Sequence, residues 1–231
     1  MAVFVFFATA ALLLHSGSCL QITNPMTQRP TGTLLEKYWT GMAMTADGKT
    51  RLACVQGGKL WGSVDAGFSW TEMSHGVLSS NKPFVDVAMS ADGVISLALI
   101  ESSNSLYRST DSWATWHIVS LPKSTMWTGV AMSADGISCQ IIAKYSSSSN
   151  NWYYSTDSGA TWATGARPSK TDPYFDAIAM SADGVIRTVV SSGPHADVVT
   201  SPLPQPCAAA AADLAVAAPR SSGLGHLPLL R

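Results

Sequence analysis

The chain has 231 residues, a formal net charge of −1 and only 13% charged side chains, against 46% hydrophobic and 9% aromatic content. That apolar load, with eight tryptophans, excludes disorder for most of the chain and is ample for one globular core. Near-neutral charge without any run of Lys or Arg excludes the electrostatic footprint of a nucleic-acid binder or of a protein held on an anionic membrane.

The first fourteen residues, Met-Ala-Val-Phe-Val-Phe-Phe-Ala-Thr-Ala-Ala-Leu-Leu-Leu, precede His15-Ser16-Gly17-Ser18-Cys19. The apolar run is too short to cross ~30 Å of hydrocarbon, which takes roughly 20 helical residues. It fits a signal-peptide core, with small Ser16 and Ser18 at the −3 and −1 positions of a cleavage site, although the first residues lack Lys or Arg. Residues 1–19 are therefore predicted to be a signal peptide; a buried first strand or helix is the competing reading. This implies a secreted or extracellular protein or, alternatively, one in an organelle lumen. No later segment approaches membrane-spanning length. The cysteines Cys19, Cys54, Cys139 and Cys207 have no regular spacing and no close Cys or His pair, so neither a metal site nor a disulfide framework is expected. No cofactor is expected either.

After an N-terminal segment over residues 20–38, four openings repeat. They are Trp39-Thr-Gly-Met-Ala-Met-Thr-Ala-Asp-Gly48, Phe84-Val-Asp-Val-Ala-Met-Ser-Ala-Asp-Gly93, Trp127-Thr-Gly-Val-Ala-Met-Ser-Ala-Asp-Gly136 and Tyr174-Phe-Asp-Ala-Ile-Ala-Met-Ser-Ala-Asp-Gly184. Their aspartates, Asp47, Asp92, Asp135 and Asp183, are spaced by 45, 43 and 48 residues. A period near 45 suits propeller blades or helical repeats. The local pattern selects strands: each apolar run stops at Asp-Gly, a hairpin signal because Gly accepts positive φ. Second runs such as Val94–Ile100 and Ile137–Ala143, third runs at Leu60-Trp61-Gly62, Leu106-Tyr107-Arg108 and Trp152-Tyr153-Tyr154, and fourth runs from Trp70, Trp116 and Trp162 complete four strands per repeat. Helix formers are scarce in these units, which are rich in Ser, Thr, Gly and Trp.

Between the third and fourth runs stand Ser63-Val-Asp65-Ala-Gly67-Phe-Ser-Trp70, Ser109-Thr-Asp111-Ser-Trp113-Ala-Thr-Trp116 and Ser155-Thr-Asp157-Ser-Gly159-Ala-Thr-Trp162, with the aspartates 46 apart both times. This Ser-x-Asp-x-Gly-x-Thr/Ser-Trp turn resembles the Asp-box (BNR) repeat of sialidase-like β-propellers, relatives of which include sortilin-type receptors and photosystem II assembly-factor propellers. The resemblance spans residues 39 to 200 and implies that the boxes are structural. The residues give the same reading: an Asp carboxylate accepts backbone N–H bonds in the following turn, Gly supplies a left-handed residue, and Trp folds back over the hairpin. Trp113 stands where the other boxes have Gly, and a bulky residue in αL geometry costs roughly 1–2 kcal/mol. On sequence alone, Trp113→Gly is expected to stabilise the fold.

The fourth repeat is incomplete, with strands expected at Val185–Ser191 and from Ala196 to Ser201. A tail of Pro202-Leu-Pro-Gln-Pro206 and an Ala-rich stretch follows, irregular or locally helical. The expected architecture is thus all-β, a partial propeller of about three and a half blades (residues 39–83, 84–126, 127–173 and 174–201) with a tail over 202–231. Closed propellers usually have four to eight blades, so either the chain is a fragment or mis-spliced product of a longer array, which is the favoured reading, or its open edge pairs with another copy.

The family's enzymes use an Arg triad, a Tyr nucleophile with Glu, and an Asp acid/base. The arginines here are scattered, no Tyr-Glu pair stands out, and His75, His117 and His195 adjoin no nucleophile motif. No catalytic residue is assigned. Asp86 and Asp176 are read as solvated strand-start carboxylates rather than channel groups. Tyr107, Trp152, Tyr153 and Tyr154 are the candidates for contact with a ligand. The reading is a non-catalytic scaffold that binds a glycan or protein partner; the alternatives are a fragment of a sialidase-type exo-glycosidase and a photosystem II assembly-factor-like propeller.

Overall fold

The computed structural model describes residues 37–145, 152–165, 174–192 and 198–202. The expected signal peptide lies outside these residues, as does the Pro/Ala-rich tail beyond Pro202, the residue that ends the last strand. The first blade is the antiparallel sheet β1 (Trp39–Met44), β2 (Arg51–Val55), β3 (Leu60–Ser63) and β4 (Thr71–Met73), in that spatial order. Blade two holds β5 (Phe84–Met89), β6 (Ser96–Ile100), β7 (Ser103–Ser109) and the first half of β8 (His117–Met132). The second half of β8 opens blade three, with β9 (Cys139–Tyr145), β10 (Trp152–Ser155) and β11 (Ala163–Thr164). The fourth blade has three strands, β12 (Phe175–Met180), β13 (Ile186–Ser191) and β14 (Val198–Pro202). The protein is a partial β-propeller of antiparallel blades.

Between blades two and three the chain does not leave the strand: β8 pairs with β7 up to Thr125 and with β9 from Met126, which joins seven strands into one sheet. One strand start differs from the sequence reading. The fourth opening begins at Phe175 rather than Tyr174: Phe175 pairs with Ser191 as Trp39 pairs with Val55 and Phe84 with Ile100. Counted from Phe175 the fourth opening has the same ten residues as the other three, and a β-bulge recurs at the same place in every inner strand, at Thr40, Val85, Thr128 and Asp176.

The hairpin after each inner strand explains the repeated Ser/Thr-Ala-Asp-Gly. In blade two the Ser90 hydroxyl donates to Asp92 Oδ1 (2.6 Å), which also accepts from Val94 N–H (3.0 Å), while Ser90 Oγ accepts from Ile95 N–H (2.9 Å). The same three bonds recur around Thr45 and Asp47, Ser133 and Asp135, and Ser181 and Asp183. Of the Asp-Gly pair only the glycine takes positive φ, +80° at Gly93. The loop is therefore not a two-residue type I′ turn, and its hydroxyl side chain matters as much as its Asp-Gly pair.

These turns also join the blades. Ala46 N–H donates to Ala91 O (2.9 Å), Ala91 N–H to Ala134 O (2.8 Å) and Ala134 N–H to Ala182 O (2.8 Å). Each blade thus gives a donor to the next, always in the same direction. Between blades the core is apolar: Leu52, Cys54, Leu60 and Met73 of blade one meet Phe84, Val87, Ala98, Ile100, Tyr107 and Trp116 of blade two. Leu97, Leu99, Leu106 and Leu121 meet Trp127, Val130, Ile141 and Tyr153 across the next seam.

Candidate functional site

The Ser-x-Asp turns are held by their own side chains. In the first, Ser63 Oγ donates to Asp65 Oδ1 (2.8 Å) and accepts from Gly67 N–H (2.9 Å). Asp65 accepts from Ser69 N–H (2.8 Å) and from the Ser69 hydroxyl (2.6 Å). Ser109 and Asp111 do the same with Trp113 and Thr115, and Ser155 and Asp157 with Gly159 and Thr161. Bonds from Ser69 and then Ser63 hold the Asp65 carboxyl at about 2. Asp111 is lowered chiefly by Thr115. At Asp157 burial pushes up, but the bonds from Thr161 and Ser155 outweigh it. Each turn has two consecutive left-handed residues rather than one: Ala66 and Gly67, Ser112 and Trp113, Ser158 and Gly159. The closing tryptophans are placed unequally. Trp116 is buried, Trp70 and Trp162 are half-buried, and Trp162 Nε1–H donates back to Gly159 O (3.1 Å).

Trp113, at φ +73°, is the exception in the series. Its ring crosses the seam to blade one and packs where Gly62 leaves room: a Cβ on Gly62 would stand 2.8 Å from the ring and 2.6 Å from Met73 Cε. Its Nε1–H donates to Ser96 Oγ (2.8 Å). The next seam is closed differently, since Arg108, in the register position of Gly62, donates from Nε to Ser158 O (2.7 Å) of the third box. The third uses Arg187, 2% exposed, whose Nη1 donates to Gln140 Oε1 (2.9 Å) and whose guanidinium lies 5.5 Å from the Trp152 ring centroid. Burial lowers Arg187 to about 10, and its Nε and Gln140 Nε2 are buried without a partner.

Beside Trp113 an open groove of about 270 Å³ runs along β4 and the first box. Gly62, Met73 and Trp113 form its floor, and Ser69, Thr71, Glu72 and His75 stand on its rim. Glu72 and His75 are exposed. An apolar floor with an aromatic edge, hydroxyls, one carboxylate and one imidazole can hold a sugar ring or a peptide side chain.

On the inner strands, Asp86 is not a solvated carboxylate. It accepts from Val87 N–H (2.9 Å) and, across the seam, from Val130 N–H (2.9 Å), both groups set beside the bulges. Gly41 of blade one leaves it space, since a Cβ there would lie 2.6 Å from Asp86 Oδ1. Its residue keeps intermediate exposure, yet burial among three inner strands pushes the carboxyl up to about 7, against the two N–H bonds that lower it. Asp176 lies half-exposed with Lys144 at 3.7 Å. Burial likewise pushes the Cys54 and Cys139 thiols up to about 12.

The aromatic residues singled out as ligand contacts turn inward. Tyr107, Trp152 and Tyr153 are 3 to 4% exposed. They make edge contacts with Phe84 (5.9 Å), Phe175 (6.3 Å) and Trp127 (5.5 Å) in the seams. They lie in blades two and three, which have a seam on each face and leave these runs no solvated side. Only Tyr154 keeps intermediate exposure. The groove was missed because its partners, Gly62 and Trp113, are 51 residues apart and each looked like a local oddity. Among the described residues the arginines do not share a focus: Arg51 donates to Gly48 O (3.0 Å) within blade one, whereas Arg108 and Arg187 each serve a different seam.

No protein-family model matches the chain, and no curated protein matches it. Solved structures do. It is similar to a GH74 enzyme from Niastella koreensis, with a TM-score of 0.51 and 18% identity over 71% of this chain and 24% of that one. An ancestral GH74 enzyme gives 0.50 and 15% over 69% and 23%. YCF48 from Cyanidioschyzon merolae gives 0.52 and 15% over 74% and 58%. The likeness is one of fold. The chain spans about a quarter of the GH74 enzymes and less than two thirds of YCF48.

Proposed function

We propose that this chain is a non-catalytic propeller scaffold of the secretory pathway that binds a protein or glycan partner, and that the three Ser-x-Asp turns are Asp-boxes. The groove between β4 and the second box carries the reading, because Trp113 gives up a relaxed turn to build its wall and polar side chains ring an apolar floor. The test is capture on a glycan array and from a displayed peptide library. Glu72→Lys and His75→Ala should abolish binding of the selected ligand and leave the melting temperature unchanged; binding indifferent to both would refute the site.

The enzymatic alternative, a fragment of a sialidase-type exo-glycosidase, draws on the box pattern. Turnover of a fluorogenic sialoside, lost on changing Arg51 or Arg108, would replace the scaffold reading. A photosystem II assembly-factor-like role has the fold likeness to YCF48 behind it and would be tested by co-purification with that complex.

A further inference from the structure

The seams are alike enough to say what a blade looks like when its neighbour is missing. The side of blades two and three that faces backward is closed: Val87 is 4% exposed, Val130 5% and Met89 8%. The register-equivalent residues of blade one, Met42 and Met44, are 49% and 39% exposed. Around them the same face carries Trp39, Trp61, Trp70 and Val55, an aromatic cluster with Trp39 6.2 Å from Trp61 and 6.4 Å from Trp70. These stand where Phe84, Tyr107, Trp116 and Ile100 close the next seam.

The forward side of blade four is the complement. Leu60, Leu106 and Trp152 are 0 to 3% exposed in their seams, whereas Val198, their register equivalent, is 63% exposed, beside Thr188, Val190 and Thr200. The alanine ladder agrees. Among the described residues nothing accepts from Ala182 N–H or donates to Ala46 C=O, the forward donor and backward acceptor that a further seam would join. The two ends are therefore the two halves of one interface used three times within the chain.

We infer that the open face of blade one binds the forward face of blade four of a second copy of this chain, head to tail, extending the established seam between molecules. The interface is heterologous, so two copies close a ring if the blade angle permits and otherwise propagate. It is separate from the groove, and either can fail without the other.

The full chain is examined by sedimentation velocity over a wide concentration range, with two single-ended variants, Met42→Glu and Val198→Glu. Wild type should sediment at twice its 24.3 kDa mass or more, and each variant at 24.3 kDa. An equimolar mixture of the two variants should recover the dimer, because each keeps the face that the other has lost. Met44→Glu and Thr200→Glu give a second pair should either first variant lose its far-UV strand signal. A wild-type chain at 24.3 kDa throughout, or a mixture that stays monomeric, overturns the inference; in the first case residues 1–36 or a further blade cover the face.

Discussion

Trp113→Gly is the substitution on which sequence and structure give opposite signs. Relief of the left-handed backbone at φ +73° is worth roughly 1–2 kcal/mol. Against it stands the ring, half-buried against Gly62 and Met73. Deleting a fully buried Trp costs about 3–5 kcal/mol, so half that burial is about 2 kcal/mol. The Trp113 Nε1–H bond to Ser96 adds to this: Ser96 Oγ lies in a residue 0% exposed, and a buried hydroxyl that loses its partner costs about 1–3 kcal/mol. The balance is a net loss of about 2 kcal/mol. In urea, with m on the order of 2 kcal/mol/M, the midpoint should fall by about 1 M at unchanged m. Trp113→Phe, which keeps the bulk but not the donor, should fall about half as far. A midpoint unchanged or raised in Trp113→Gly would mean that the ring contributes nothing across the seam.

Asp65→Ala and Asp111→Ala should each lower the urea midpoint relative to the unchanged chain, since each removes the acceptor of a backbone and a hydroxyl bond. Asp86 has a folded pKa raised to about 7, so the folded state holds the extra proton between about 4 and 7. Its contribution therefore falls as pH rises through that window, and Asp86→Asn should flatten the melting temperature there. The turn carboxylates act oppositely: Asp47, Asp65, Asp92, Asp111, Asp157 and Asp183 are lowered. Their contribution is complete above about 4 and is lost as pH drops toward 2, so an acid-unfolding limb should appear below pH 4 in both proteins. Gln140→Leu should destabilise by about 2 kcal/mol, because Arg187 Nη1 loses its acceptor in the seam. Adding Arg187→Ser, which restores the Leu and Ser pairing of the first seam, should cost less than the sum of the two single changes in a double-mutant cycle.

The architecture was readable because its determinants are local and repeat. Ser90, Asp92 and Gly93 lie within four residues, and their bonds follow from that spacing. The boxes are legible for the same reason. What sequence spacing could not disclose is which residues meet across a seam. Asp86 was read as solvated because its second donor, Val130, is 44 residues away. Tyr107, Trp152 and Tyr153 were read as surface because a run of aromatics gives no sign that both faces of a blade are covered. The off-by-one at Tyr174 arose because two aromatics, Tyr174 and Phe175, stand side by side at the head of the repeat, and only the pairing of Phe175 with Ser191 tells which of them opens the strand.

Strand β8 has a mechanical consequence. Blades two and three are joined by a strand that pairs with β7 up to Thr125 and with β9 from Met126, whereas between blades one and two the chain leaves β4 and passes through a 3-10 turn at Gly76–Leu78 before β5. With no loop at the crossing, the middle pair has less slack along the chain than blades one and two, so slow breathing should favour the first seam over the second.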